Sequence, residues 1–480
     1  MGDNMVEESN YISKVEELKN NITGMMSRKL YIKDKVIYIL YIPQISNRDS
    51  ISENIIKPLL QYSGTPIISA GLVMSSIIYV DDVFLEEDDN KITDYIMQGK
   101  SVVLVSDSSQ YIVANTLKVE KRSIQSPEVE AAVRSPRDAF NENLDSNLSL
   151  IRYRIKDSSL KIDYSTVGIR TKTSVVLVYL QDVANSKYVT EIKKKLEQIK
   201  VDGILESGYI QKLISNKNAT LFPEIGISER SDSACANILE GRICILVDGS
   251  NLALIVPKGF VAFLDAGDDH YDNAYLGIFI KFFRFLALII ALTLSSLYVI
   301  LVAYNPEFLP SQYILVLANS RVQVPINAVT EAVMMEMILE LLREANLRLP
   351  KQISSSISIV GTIVIGQAAV YAGIVSPLLV IIVALSSIAS YAVADYTFMN
   401  PIRVLKFVIL FLSGTFGMFG FVMGLNIMAI KIASITSFGV PFTAPVAPFS
   451  YKDIKNYILS NVVLAEERPS FLNTKDKKRK

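Results

Sequence analysis

Apolar positions change their pattern near residue 282. Before it they fall in short runs and alternations; after it they fall in runs long enough to cross a bilayer. The sequence Gln352–Ala394, 43 residues, contains no Asp, Glu, Lys or Arg, and two further charge-free runs sit near it, Phe285–Pro306 and Phe407–Ile430. A helix needs about 20 apolar residues to cross the hydrocarbon core. Each run is long enough, and the longest reads as two spans broken at Gly373 and Ser376-Pro377. The pattern predicts an integral membrane protein, with its function in what those helices surround.

Ahead of residue 282 the periodicity is that of an α/β protein. Val36–Pro43 reads as a buried strand, Ser50–Gln61 as a helix, Asp89–Gln98 as a polar helix, and Val102–Val105 and Tyr111–Asn115 as strands. Polar Lys121–Pro136, with Pro127 and Pro136, reads as a linker. A long helix is expected over Arg137–Lys156, where Phe140, Leu144, Leu148, Ile151 and Ile155 recur at helical spacing. Strands follow at Leu160–Gly168 and Thr173–Leu180, and a basic helix at Val189–Lys200. Ile243–Val247 and Leu252–Val256 flank Asp248-Gly249-Ser250-Asn251, a hairpin signal. The expected fold is an α/β domain of two subdomains, 1–120 and 121–281, then an α-helical integral membrane domain, 282–450, and a basic tail, 451–480.

Between the first span and the long run, Gln312–Asn319 is apolar but too short to cross. Asn327–Glu344 is an amphipathic helix with Met334, Met335, Met337, Ile338, Leu341 and Leu342 on one side, and it also carries Glu331, Glu336 and Glu340. It reads as interfacial, re-entrant or buried between subunits. If it does not cross, four spans leave both termini in the cytoplasm; if it crosses, the tail is exported. Four full spans plus partial ones are expected.

Composition narrows the chemistry. Lys+Arg and Asp+Glu both number 48, so the whole chain gives no argument for a nucleic-acid partner. Two cysteines, Cys235 and Cys244, and one histidine, His270, build neither a disulfide framework nor a zinc site. Both cysteines read as small core residues. The polar, acidic start MGDNMVEESN is no secretory signal, so the first domain is expected in the cytoplasm. The basic end, Lys475 to Lys480, reads as a solvated tail, with an anchor to anionic headgroups as the alternative. Gly99-Lys100-Ser101 lacks the first glycine of a phosphate loop, since Asp94 stands there. Glu86-Glu87-Asp88-Asp89 reads as a solvated loop. No cofactor and no enzymatic constellation is indicated.

Inside the apolar region, Ser355, Ser358, Thr362, Gly366, Ala369 and Gly373 step by three or four residues and share a helix face. Such a stripe is either a close-packing seam or the lining of a water-filled path. Val364 lies on the far side, a hydrophobic gate if the helix is rotated. Gln367 lies on a different face, and its amide needs a partner. Gly414, Gly417, Gly420 and Gly424 read as helix packing. Glu331, Glu336 and Glu340 are candidate acids of a cation path, or form ordinary pairs such as Glu340 with Arg343.

Several blocks then become recognisable. Glu130-Ala-Ala-Val-Arg-Ser-Pro-Arg-Asp-Ala-Phe-Asn-Glu-Asn-Leu144, with Leu150-Ile-Arg-Tyr-Arg-Ile155, resembles the signature of the A subunit in the GerA family of spore germination proteins. Glu206-Ser-Gly-Tyr-Ile210, Glu240-Gly-Arg-Ile-Cys-Ile-Leu-Val-Asp-Gly249, Ile365-Gly-Gln-Ala-Ala-Val370, Ala372-Gly-Ile-Val-Ser-Pro377 and Ser437-Phe-Gly-Val-Pro441 agree. The resemblance implies a receptor subunit in the spore inner membrane, its large N-terminal domain on the cytoplasmic (core) side. It implies work with a membrane B subunit and a lipoprotein C subunit, and a homo-oligomeric ring, a pentamer, forming a nutrient-gated ion channel. The helix Gln352–Ile374 is then the expected pore wall. The alternative is a non-conducting scaffold or signal-transducing subunit. A secondary transporter would show inverted repeats, and none is seen. The chain departs from the family pattern at Ser135, Asn327, Ser295 and Ala394-Asp395, where proline or glycine is usual, and at Asn346.

Overall fold

The computed structural model describes residues 2–33, 35–64, 68–118, 127, 130, 136–215, 220–271, 273–349, 364–393, 395–459 and 467–479. The chain divides into two compact units. One comprises Met1–Ser215, Ile225–Pro257 and Glu466–Lys480; the other comprises Asn216–Glu224 and Lys258–Ala465.

The first unit is built on two five-stranded sheets. Helix α1 (Gly2–Asn21) precedes β1 (Met26–Ile32), β2 (Lys35–Tyr41), β3 (Val83–Glu86), β4 (Ser101–Val105) and β5 (Tyr111–Ala114), and these strands pair in the order β1-β2-β4-β5-β3. The second sheet comprises β6 (Leu160–Val167), β7 (Thr173–Leu180), β8 (Gly226–Ser228), β9 (Ile243–Val247) and β10 (Ala253–Val256), in the order β6-β7-β9-β10-β8. Every neighbouring pair is antiparallel, so the two sheets repeat one strand order. Strands β4, β5, β9 and β10 are buried along their whole length, which is why they stand out as unbroken apolar runs. The edge strand β1 mixes Arg28 and Lys29 with its apolar residues and gives no such signal.

Helix α2 (Leu144–Arg154) is shorter than the expected Arg137–Lys156. Asn143 caps it, its side chain accepting from Ser146 N at 3.0 Å, and the chain before it is not helical. Phe140 is buried all the same, because its N–H bonds Glu229 O at 2.8 Å and the ring joins the core of the second sheet. Its helical spacing to Leu144 is thus incidental. Helix α5 (Ser231–Leu239) packs with α2 in that core, while α3 (Ser186–Glu197) and α4 (Ser207–Ile214) contact each other and the same sheet.

The basic tail differs from its expected solvated state. Arg468 Nε donates to Leu239 O at 2.9 Å, at the C-terminal end of α5, where helix carbonyls lack partners. Lys475 N donates to Val183 O at 3.0 Å, and Arg479 pairs with Glu240 at 3.1 Å. The tail folds as part of the first unit.

The second unit is helical: α6 (Ala274–Ala303), α7 (Ser311–Arg321), α8 (Ala328–Arg348), a helical segment 364–371, α9 (Pro377–Tyr391), α10 (Tyr396–Ser434) and α11 (Tyr451–Leu459). Tyr275–Ala303 and Tyr396–Ser434 are long and apolar enough to cross a membrane. The break before α9 falls at Gly373, with φ 65°, and at Ser376, whose hydroxyl caps α9 ahead of Pro377.

Helix α10 is folded back on itself. Gly417 has φ 60° and ψ −139°, a conformation that only glycine adopts readily. A β-carbon on Gly424 would lie 3.2 Å from Ile409 Cγ1 and 3.3 Å from Leu412 Cδ1. In an unbroken helix residues 412 and 424 would stand about 18 Å apart. The single span expected over Phe407–Ile430 is therefore a pair of antiparallel arms meeting at Gly417.

Candidate functional site

Helix α8 is inside out by the rules of a water-soluble protein. Glu331 and Glu336 are 0% and 4% exposed, whereas Met337 and Leu341 on the same helix are 50% and 64% exposed. The acids face the other helices and part of the apolar side faces outward. The amphipathic reading had the glutamates decorating the helix; two of the three are instead its most enclosed polar groups.

Each acid meets a base from another helix. Glu331 pairs with Arg321 of α7 at 2.6 Å and accepts Ser376 N at 2.5 Å. Arg321 also donates to Tyr298 Oη of α6, which shares a hydrogen bond with Ser376 Oγ. Glu336 pairs with Lys406 of α10 at 2.5 Å and accepts from Ser295 Oγ of α6. Glu340 pairs with Arg403 of α10 at 2.8 Å and with Arg343 at 3.5 Å. Arg343 in turn donates to Ser390 of α9 at 3.1 Å. The network ties α6, α7, α9 and α10 to one central helix.

The groups Glu336, Glu340, Arg343, Ser390, Arg403 and Lys406 line a cleft with about 10 Å³ of space, near the minimum for one water molecule. The Nε atoms of Arg343 and Arg403 are buried there without a partner among the described residues. Three cations against two anions make this cleft a poor path for a cation and a good clamp between α8 and α10. Taking each charge out of water costs several kcal/mol, which partners offset only when geometry and hydrogen bonding are good.

Three departures from the family pattern have local roles, while Ser135 and Ala394 lie outside the described residues. Ser295 supplies the hydroxyl on Glu336. Asn327 caps α8 by accepting from Thr330 N at 2.8 Å. Asp395 caps α10 through Thr397 N and pairs with Lys258 at 2.9 Å. The two caps are local, whereas the contacts of Ser295 with Glu336 and of Asp395 with Lys258 join distant parts of the chain that no sequence spacing links.

Ser355, Ser358 and Thr362 lie outside the described residues. In the segment 364–371, Gly366 is buried and a β-carbon on it would stand 3.5 Å from Val380 of α9, while Ala369 packs with the same core. Gly373 lies against Gln323 O, 3.1 Å from the position of its β-carbon. These three members of the stripe turn toward their own subunit. Val364 and Gln367 are exposed and share the outward face with Tyr371. The packing glycines are distributed differently from a single seam. Gly414 abuts Val329 of α8, Gly417 sits under Tyr304, and Gly420 and Gly424 abut Leu412 and Ile409 across the fold of α10.

In the first unit the signature residues fasten structure. Glu130 Oε2 accepts Ser228 Oγ, Glu229 N and Arg230 N, each at 3.1 Å. Asp138 pairs with Arg154 at 2.6 Å. Glu206 accepts from Ser207 Oγ, Gly208 N and Ser250 Oγ. Burial would raise the Glu206 carboxyl, but these hydrogen bonds outweigh it and hold it below the usual range. Among the described residues no group of three or more His, Cys, Asp or Glu could hold a metal ion.

A mixed α/β unit joined to an apolar helical unit with buried charges is the class of molecule the geometry defines. Residues 13–471 match the family model described as Bacillus/Clostridium GerA spore germination protein. Spore germination protein KA of Bacillus subtilis (strain 168) is 37% identical over 443 residues, covering 92% of this chain and 81% of that protein. Spore germination protein GerLA of Bacillus cereus is 36% identical, covering 91% and 89%. An uncharacterized membrane protein of B. subtilis, YfkQ, is 34% identical, covering 87% and 82%. A crystal structure of the N-terminal domain of the A subunit of the Bacillus megaterium spore germinant receptor GerK3 aligns at 26% identity and TM-score 0.38, covering 52% of this chain and 95% of that one. The chain belongs to the GerA family of spore germination proteins.

Proposed function

We propose that this chain is the A subunit of a nutrient germinant receptor and that its helical unit is a gated ion-conducting element of the spore inner membrane. In this reading the α/β unit stands on the cytoplasmic, core side. Copies of the subunit form a ring, a pentamer, with a membrane B subunit and a lipoprotein C subunit as partners, and cations leave the spore when nutrient binds. The observation that carries the reading is the inverted polarity of α8. Charge enclosed by apolar helices with apolar side chains turned outward is the arrangement of a membrane domain, where buried ionisable groups mark functional sites. Chain connectivity fits it as well: the polypeptide enters the helical unit for its apolar helices at Lys258 and returns to the α/β unit after residue 465. An even number of crossings satisfies that.

The paired glutamates describe a closed state. Each acid that could attract a cation is neutralised within the subunit, so opening requires the clamp between α8 and α10 to loosen. Removing one partner of a buried pair costs about 3–5 kcal/mol, while removing both is far milder. Lys406→Met should give ion release without nutrient in proteoliposomes holding the receptor complex, and Lys406→Met with Glu336→Gln should return it toward wild type. A Lys406→Met complex that assembles and stays as tight as wild type would rule out the clamp. The second reading, a scaffold that does not conduct, is favoured by the inward packing of Gly366, Ala369 and Gly373. It predicts no ion release from any of these complexes.

A further inference from the structure

After the fold of α10 the chain makes a short hairpin and then an apolar prong. Phe442, fully buried, sits among Phe222, Phe263 and Phe398, and its carbonyl accepts Phe260 N at 2.7 Å. From this anchored base the turn Thr443–Ser450 projects, closed by Thr443 Oγ1 donating to Ala447 O at 2.6 Å and by Ser450 N donating to Pro445 O at 3.0 Å. The turn is ordered, yet its four consecutive tip residues Val446, Ala447, Pro448 and Phe449 are all exposed. Phe449 is 74% exposed and Tyr451, the first residue of α11, is 72% exposed.

Such a tip is costly in water, and two features say what covers it. The first is position. Lys281 near the start of α6 donates to Tyr457 O at 2.8 Å and lies 4.0 Å over the Tyr457 ring, so α11 is fixed beside the first turns of α6. Those turns expose Tyr275, Phe279, Phe282 and Phe283. Phe442 likewise shares the ring contacts of Phe222, Phe260 and Phe263 with Phe398, in the first turn of α10. The prong therefore sits near the starts of α6 and α10, whose first turns also expose aromatic side chains, the four just named on α6 and Tyr396 on α10. Tyrosine rings concentrate at that level of a bilayer, and phenylalanine serves on the inserted face of interfacial segments. The second is charge: Lys452 and Lys455 follow the tip and are exposed, the pairing of apolar insertion with basic side chains that suits an anionic headgroup layer.

We propose that residues 446–458 form a foot that lies in the interface of an anionic bilayer, Phe449 and Tyr451 entering the headgroup–acyl boundary and Lys452 and Lys455 facing the headgroups. The foot rests on the membrane reading of the helical unit. It holds the first turns of α6 and α10 at a fixed depth.

The chain has no tryptophan, so single-tryptophan variants report depth without background. Full-length Phe449→Trp, Phe411→Trp on the outward face of α10, and Tyr79→Trp in the α/β unit would each be reconstituted in vesicles of neutral lipid with and without phosphatidylglycerol. Brominated lipids labelled near the headgroup or deep in the chain, and aqueous iodide, serve as quenchers. Phe449→Trp should be quenched at least threefold more by shallow than by deep bromine, and only weakly by iodide. Lys452→Glu with Lys455→Glu should raise its iodide quenching in the anionic vesicles alone. Iodide quenching equal to that of Tyr79→Trp would overturn the foot, as would shielding from every quencher, which would mean cover by protein. If Phe411→Trp is quenched by iodide and by no bromolipid, the membrane reading itself fails, a result distinct from failure of the foot.

Discussion

At the scale of single residues, burial decides reactivity. Cys235 and Cys244 are both buried; burial pushes the Cys235 thiol up to about 12 and raises that of Cys244 as well. The thiolate is the reactive form, so Ellman's reagent at pH 8 should titrate no thiol in the native chain and two after denaturation. One equivalent or more in the native state would contradict the packing of the second sheet. The apolar surroundings of both cysteines are legible in the sequence. The placement of Glu331 and Glu336 is not, because an amphipathic pattern says which residues share a face and not which face meets solvent. Their partners Arg321 and Lys406 lie far enough along the chain, on other helices, that no local spacing links them.

At the scale of elements, the strongest apolar runs are strands and helices, and pattern and structure part where a local pattern has two solutions. Thr173–Leu180 and Ile243–Val247 appear with their expected ends, since a fully buried strand bounded by turn residues admits one reading. The Phe407–Ile430 run does not, because hydropathy is unchanged whether a chain continues through Gly417 or reverses there. The reversal has its own test. Gly417→Ala would place a β-carbon at a φ and ψ close to the region reserved for glycine, which costs about 1–3 kcal/mol, and 3.0 Å from the Tyr304 ring. Gly71→Ala meets nothing within 4 Å and serves as the neutral comparison. Thermal melting of the detergent-solubilised chain, followed by circular dichroism, should fall for Gly417→Ala and hold for Gly71→Ala. Equal melting of the two would argue for a straight α10.

At the scale of the whole molecule, two sheets with one strand order, a tail that returns to them, and a charge-locked helical unit belong to one polypeptide. The family assignment accounts for the order of the blocks, while the clamp and the outward face of the 364–371 segment supply a physical hypothesis for gating. The proposed function is a conducting helical unit, and a path along that outward face would pass Gln367, which is exposed there. Gln367→Cys offers a direct probe, because the two native thiols are buried. The measurement is nutrient-triggered cation release from proteoliposomes holding the assembled receptor, before and after a positively charged methanethiosulfonate is added. Conduction past Gln367 predicts release that the reagent abolishes in Gln367→Cys and leaves intact in the parent. Undiminished release from a demonstrably modified Gln367→Cys receptor would contradict it.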